Sequence, residues 1–161
     1  MHIQIAGVPI PKKRPRFYNQ GHGIAAYDAQ SREKNQTRKQ IKTQMAQEGT
    51  KFDRGKALSI KMTFGMPIPK SDSQRARNAK LDGSIPHTQK PDIDNLVKFY
   101  LDCANEVAWH DDCQVTHLEA DKFYSSEPRT EIWIRSRRKI NRTKTPAADP
   151  GQMTFFGMWG I

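Results

Sequence analysis

Two cysteines in 161 residues are too few for a disulfide framework, so the chain must fold on its own packing. Cys103 and Cys113 can be set beside His110 and His117, but the spacing matches no usual zinc pattern. Cys103 also falls inside an expected helix. Both thiols read as buried or incidental groups in a reducing cytoplasm, the expected location. No stretch approaches the ~18 consecutive apolar residues of a membrane span. The start, Met1-His2-Ile3-Gln4-Ile5, has none of the marks of a signal peptide, and none is expected. Hydrophobic residues are only 35% of the chain, so part of it should be tail or loop. The length is that of one ordinary domain.

Acidic charge is the scarce sign. Lys and Arg number 27 against 17 Asp and Glu, a net charge of +10, which favours a polyanionic partner. Yet Asp92, Asp94, Asp102, Glu106, Asp111, Asp112, Glu119 and Asp121 crowd into residues 92–121. An acidic island in a basic chain is reconciled by a divalent metal there and DNA elsewhere.

His2-Ile3-Gln4-Ile5-Ala6 alternates and reads as a first strand. Residues 7–17 interleave Pro9, Pro11 and Pro15 with Lys12, Lys13, Arg14 and Arg16. Proline should hold this loop extended, with its cations free for phosphate. Residues 23–27 read as a strand closing a loose hairpin. Asp28 is a candidate N-cap for a polar helix over 29–47 that buries chiefly Ile41 and Met45, ended by Gly49. Residues 58–64 alternate as a half-buried strand. Residues 67–90 read as one long loop, in which Lys70, Arg75, Arg77, Lys80, His87 and Lys90 suit a groove that orders around DNA.

The clearest helix is expected over 92–108, where Ile93, Leu96, Val97, Tyr100, Leu101, Ala104, Val107 and Ala108 keep 3.6-residue spacing. Strands are expected over 114–124 and 129–136. Beyond residue 136 the composition changes. Six basic residues fall in 135–144, then a Pro/Ala/Gly linker, then an apolar end. The chain therefore divides into a domain over 1–136 and a basic linker with an apolar tail over 137–161.

Asp92 and Asp94 would lie on opposite faces inside a helix, but share a face in extended backbone. Pro91 and a capping residue at Asp92 place the helix start here, so the two carboxylates can converge. Lys98 is the i+4 neighbour of Asp94. Asp111 and Asp112 come after the helix and join them only if the fold returns. Such a set suits Mg²⁺ or Mn²⁺, hard ions that take oxygen ligands and catalyse phosphodiester hydrolysis. From the residues alone, Asp92 is also readable as a plain N-cap and Asp111-Asp112 as a turn.

Lys90-Pro91-Asp92-Ile93-Asp94-Asn95-Leu96-Val97-Lys98, Leu101-Asp102 and Trp109-His110-Asp111-Asp112-Cys113-Gln114-Val115 closely resemble the RusA family of Holliday-junction resolvases. That pattern runs Pro-Asp-x-Asp-Asn-Leu-x-Lys, then x-x-Asp-Ala-Leu, then Trp-x-Asp-Asp-x-Gln-Val. Gly7-Val8-Pro9-Ile10-Pro11-Lys12-Lys13-Arg14-Pro15-Arg16 is similar to the segment after the first strand in phage and prophage members. The resemblance covers about residues 1–136. It implies an α+β fold with a small mixed or antiparallel sheet packed with two main helices, in an intertwined homodimer. It also implies Mg²⁺-dependent symmetric cutting of four-way DNA junctions, with Mn²⁺ able to substitute. It sets the catalytic acids on Asp92, Asp94 and Asp112 and the essential lysine on Lys98, with Asp111 as a further metal-site acid. Cys103-Ala104-Asn105 departs from the usual Ala-Leu pair, and the 67–90 segment exceeds the compact family form. The other readings are a non-cleaving DNA-binding or recombination-accessory protein of the same fold, and a broader flap or fork nuclease.

Gln152-Met153-Thr154-Phe155-Phe156 is similar to the short peptide that docks on bacterial sliding clamps, roughly Gln-Leu-Ser/Asp-Leu-Phe. Gln152, Met153, Phe155 and Phe156 are its candidate anchors, on a linker that lets them reach a partner groove. The other reading is a tail packed on its own domain or its dimer partner.

Overall fold

The computed structural model describes residues 1–14, 16–19, 21, 24–49 and 52–137. Residues 138–161, with the linker and the clamp-like peptide, lie outside the described residues. Strand β1 (His2–Ala6) is followed by β2 (Arg16–Asn19), β3 (Ile24–Tyr27) and helix α1 (Ser31–Glu48). Then come β4 (Leu58–Pro67), α2 (Gln74–Leu81), α3 (Ile93–Ala104), a 3-10 turn (Asp112–Gln114), β5 (Val115–Ser125) and β6 (Arg129–Ser136). The fold is α+β.

The main sheet has four strands in the order β1-β6-β4-β5. It is mixed: β1–β6 and β6–β4 are antiparallel, and β4–β5 is parallel. Strand alternation explains the core. Ile3 and Ile5 of β1, Leu58, Ile60, Met62 and Phe64 of β4, and Ile132 and Ile134 of β6 are all buried. Helix α3 lays Leu96, Val97, Tyr100, Cys103 and Ala104 against the same cluster, and α1 adds Ile41 and Met45. Cys103 is therefore a core thiol, while Cys113 is exposed. No described helix is long and apolar enough to cross a membrane.

Three expectations need correction. The hairpin does not involve β1: β3 pairs with β2, which lies partly in the stretch read as loop, and β1 is taken by β6. Residues 67–90 are not one loop, because α2 occupies Gln74–Leu81 with Ser73 as N-cap. That helix buries no residue, so it has no apolar stripe to betray it. Helix α3 ends at Ala104 rather than 108. Asn105 leaves helical geometry and Glu106 takes a left-handed φ of 64°, yet Ala108 and Trp109 stay fully buried. The apolar spacing continued because the turn also faces the core.

The first helix also starts later than expected: Gln30, not Asp28, holds its N-cap position, and no side chain caps it. Helix α1 buries Thr37, Ile41 and Met45 and ends on Gly49 at φ 64°, a conformation glycine adopts freely. Asp28 precedes the helix and accepts from the Gln30 backbone N–H at 2.9 Å.

Candidate active site

Pro91 and Asp92 lead into α3 in extended backbone, with Asp92 at φ −70° and ψ 142°. Asp92 holds the N-cap position, but its carboxylate makes no capping hydrogen bond. It is exposed, and so is Asp94. Both line one open hollow with His87, Ile93, Ala120, Asp121 and Lys122. The helix start thus gathers the two acids as the sequence implied. Lys98 Nζ meets Asp94 Oδ2 at 3.1 Å across one helical turn. That hydrogen bond holds the Asp94 carboxyl below its ordinary pKa.

The sequence reading did not nominate Asp121 or Lys122, both of which strand β5 brings to this hollow. Lys122 Nζ donates to the carbonyls of Gln89 and Pro91, each at 2.7 Å, and so pins the approach to Asp92 onto the strand. His87 packs its ring against Tyr124, with centroids 4.5 Å apart. Its Nδ1 is buried with no partner. Burial first, and the Lys122 charge second, lower the His87 pKa. No sequence signal marks their meeting, because only strand pairing and loop docking bring residues 87, 92 and 121 together.

The second acidic pair is built differently. The indole Nε1 of fully buried Trp109 donates to Asp112 Oδ1 at 2.9 Å. Asp111 caps the 3-10 turn: its Oδ1 accepts from the Cys113 backbone N–H at 2.8 Å, which lowers its pKa. Gln114 closes the capping box, accepting from His110 N at 2.9 Å and Asp111 N at 3.3 Å. Its amide also donates to Asp53 O and Lys56 O at 2.9 and 3.1 Å, anchoring the turn beside the start of β4.

The four carboxylates do not converge within one chain. Asp92 and Asp94 stand at the first turn of α3, and Asp112 follows its far end. From Asp94 to Ala104 the helix rises about 15 Å, and from Val115 to Asp121 the strand spans about 20 Å. Among the described residues, no three His, Cys, Asp or Glu side chains gather to hold a metal ion. The donors are the hard oxygens a divalent ion prefers.

The basic residues separate into neutralised and free. Lys12 pairs with Asp102, which also takes Lys34 at 3.4 Å. The Lys12 backbone N–H bonds Asn95 O at 2.8 Å, and Ile10 N–H bonds the Tyr100 hydroxyl at 3.2 Å. The proline-rich loop is therefore docked on α3, next to the acidic entrance. Lys80 is nearly buried, 2.6 Å from Asp72 and 4.5 Å from the centre of the Tyr124 ring. Arg77 turns inward to Pro69 O at 3.4 Å. Lys13, Arg14, Lys70, Arg75 and Lys90 are exposed, Lys13 with Glu33 at 3.8 Å. Arg16 lies in β2.

Residues 6–135 match the family model described as Endodeoxyribonuclease RusA. The chain is also similar to a Bacillus subtilis (strain 168) protein named "Uncharacterized protein YqaN". The two are 39% identical over 79 residues, 49% of this chain and 56% of the relative. The chain thus spans little more than half the length of that curated relative. The family match, in contrast, runs through the proline-rich loop, the α3 entrance, the Trp109-Asp112 turn and the last strand, and on it the chain belongs to the RusA family of endodeoxyribonucleases.

Proposed function

We infer that the protein is a Mg²⁺-dependent endodeoxyribonuclease that resolves four-way junctions and related branched DNA as a homodimer. The observation that carries this reading is the pair Asp92 and Asp94. Both are exposed, Asp92 makes no capping hydrogen bond, and Lys98 pairs with Asp94 one turn away. Exposed carboxylates in a chain of net charge +10 oppose DNA binding unless a cation lies between them and the phosphates.

In this reading Asp92, Asp94 and Asp112 are the metal-holding acids, with Asp111 beside them. A bound Mg²⁺ or Mn²⁺ would activate the attacking water and stabilise the leaving oxygen. The Lys98 ammonium holds the scissile phosphate. Lys13, Arg14, Lys70, Arg75 and Lys90 supply phosphate contacts that follow junction shape rather than sequence. The 152–156 peptide is the proposed sliding-clamp contact; a clamp pull-down with and without residues 152–161 tests it, and equal capture ends it.

A non-cleaving accessory role is the second reading, favoured by the lack of a three-ligand cluster among the described residues. A single assay separates the two. Four-way, flap and linear duplex DNA are incubated with Mg²⁺ or with chelator. Paired nicks in the four-way junction, abolished by chelator, are expected. Junction binding without any cut supports the accessory role, and equal cutting of linear duplex removes the junction preference.

A further inference from the structure

Beside the Trp109-Asp112 turn lies a hollow of about 500 Å³. The segment before β4 forms one wall, with Arg54 and Lys56, and the acidic turn forms the other, with His110 and Asp111. Thr116 of β5 also lines it. Arg54, Lys56 and His110 are all exposed. None of the three stands in the basic segments at 12–16 and 70–90 that the sequence marked for phosphate.

The two walls form one unit. The turn Asp53-Arg54-Gly55-Lys56 is closed by the Lys56 N–H on Asp53 O at 3.4 Å, with Gly55 at φ 74°, a conformation glycine adopts freely. Gln114 donates to both ends of that turn, Asp53 O and Lys56 O, from within the acidic turn. Arg137 adds two further ties: its backbone N–H bonds Ala57 O at 2.7 Å, and its guanidinium bonds Thr116 O at 3.2 Å. A ligand held between the walls therefore keeps a fixed relation to Asp112, on the same turn as His110.

Charge selects the ligand. Asp53 is taken by Lys56 at 2.5 Å, and Asp111 commits its Oδ1 to the Cys113 N–H. Arg54 makes no ion pair among the described residues, and a guanidinium presents a planar fork that matches phosphate oxygens. We propose that the hollow is a phosphate site, in which Arg54, with Lys56 and His110 beside it, holds a DNA backbone phosphate near the one that is cut. That this phosphate belongs to DNA rests on the endonuclease reading. Asp111 and Asp112 repel a DNA strand, and Arg54 supplies the opposing charge on the same rigid unit. The site thereby sets the register of the strand against Asp112, and Arg54 is a positioning residue.

Two measurements test this. First, four-way junction binding is followed by fluorescence anisotropy over a salt series, in an Asp92→Asn background that holds junctions uncut. Losing one phosphate contact lowers the slope of log affinity against log salt by about one. Arg54→Gln should show that drop. Lys42→Gln makes the same charge change on the exposed face of α1 and should leave the slope in place. No drop in Arg54→Gln, or an equal drop in both folded variants, overturns the site. Second, junctions carrying a single uncharged methylphosphonate are scanned across the phosphates around the crossover. The parent should lose affinity about 10-fold at one of them, the cost of one charge-assisted hydrogen bond. Arg54→Gln should be indifferent at that position and respond as the parent does elsewhere. Losses that add at every position overturn the contact. Neither readout needs cleavage. A junction binder with this signature whose wild type makes no cut supports the phosphate site and sinks the endonuclease reading. Paired cuts beside an unmoved Arg54→Gln sink the site alone, and a wild type that binds no DNA sinks both.

Discussion

Trp109 holds Asp112: its buried indole donates to the carboxylate at 2.9 Å. That bond fixes which way the acid points while leaving its second oxygen for other work. Trp109→Phe keeps the ring in the core and removes the donor. Junction cleavage should fall about 10- to 100-fold, the usual cost of losing a group that orients a metal ligand. Single-turnover kinetics beside a thermal melt would check it. A normal rate in a folded variant would mean that the indole does not orient a working acid.

Asp92 is an N-cap residue whose side chain does no capping. Asp92→Asn should therefore leave stability within about 0.5 kcal/mol of the parent, as for an ordinary surface substitution. It should abolish Mg²⁺-dependent cleavage and leave junction binding in place. Urea denaturation, gel shift and cleavage on one preparation make the comparison. Cutting of four-way junctions at the normal rate would remove Asp92 from the site.

Lys98 lowers the Asp94 pKa through the 3.1 Å contact. Lys98→Gln should raise it, so that Asp94 takes up its proton at higher pH in a carboxyl NMR titration. The depressed carboxyl contributes its stability above its unfolded value and loses it as pH falls through the folded value. The variant should accordingly show a smaller stability loss on acidification. An unmoved Asp94 titration would show that the ion pair does not persist in solution.

His87 is buried, and its folded pKa lies below the ordinary 6.5. The unfolded chain therefore binds the proton more readily. The stability linked to His87 is present above pH 6.5 and drains away as pH falls through the lower folded value. His87→Phe keeps a ring against Tyr124 and removes the titration. Between pH 8 and pH 5 (set by the assay buffers, about one and a half units either side of an ordinary histidine), the wild type should lose more stability than the variant. Equal losses would place the titrating group elsewhere.

Gln114 ties the acidic turn to the residues before β4 through hydrogen bonds to His110, Asp111, Asp53 and Lys56. Gln114→Ala removes these hydrogen bonds from a buried residue and should cost about 1–3 kcal/mol. Cleavage should fall as Asp112 loses its support. A denaturant midpoint equal to the wild type would contradict this anchoring role.

Local period made part of this protein legible in advance. The stripe Leu96, Val97, Tyr100, Ala104 follows from 3.6 residues per turn, and so does the contact of Lys98 with Asp94. Pro91 and Asp92 announced the helix start, and alternation announced β1 and β4. The same logic overran at 105–108, because a buried turn and a buried helix demand the same apolar residues. It also passed over α2, which buries no residue.

The amino-acid sequence by itself determined the acidic entrance of α3, the lysine above it and the family. The first two are a matter of spacing within about two helical turns, where backbone geometry leaves little choice, and the family rests on motifs repeated along the chain. Tertiary structure alone decided that Asp121 and Lys122 attend that entrance, that Lys12 and Lys80 are already neutralised, and that Asp112 stands at the far end of the helix. Those relations depend on which strand lies beside which, and the parallel pairing of β4 with β5 is set by burial across the whole sheet rather than by any neighbouring residue.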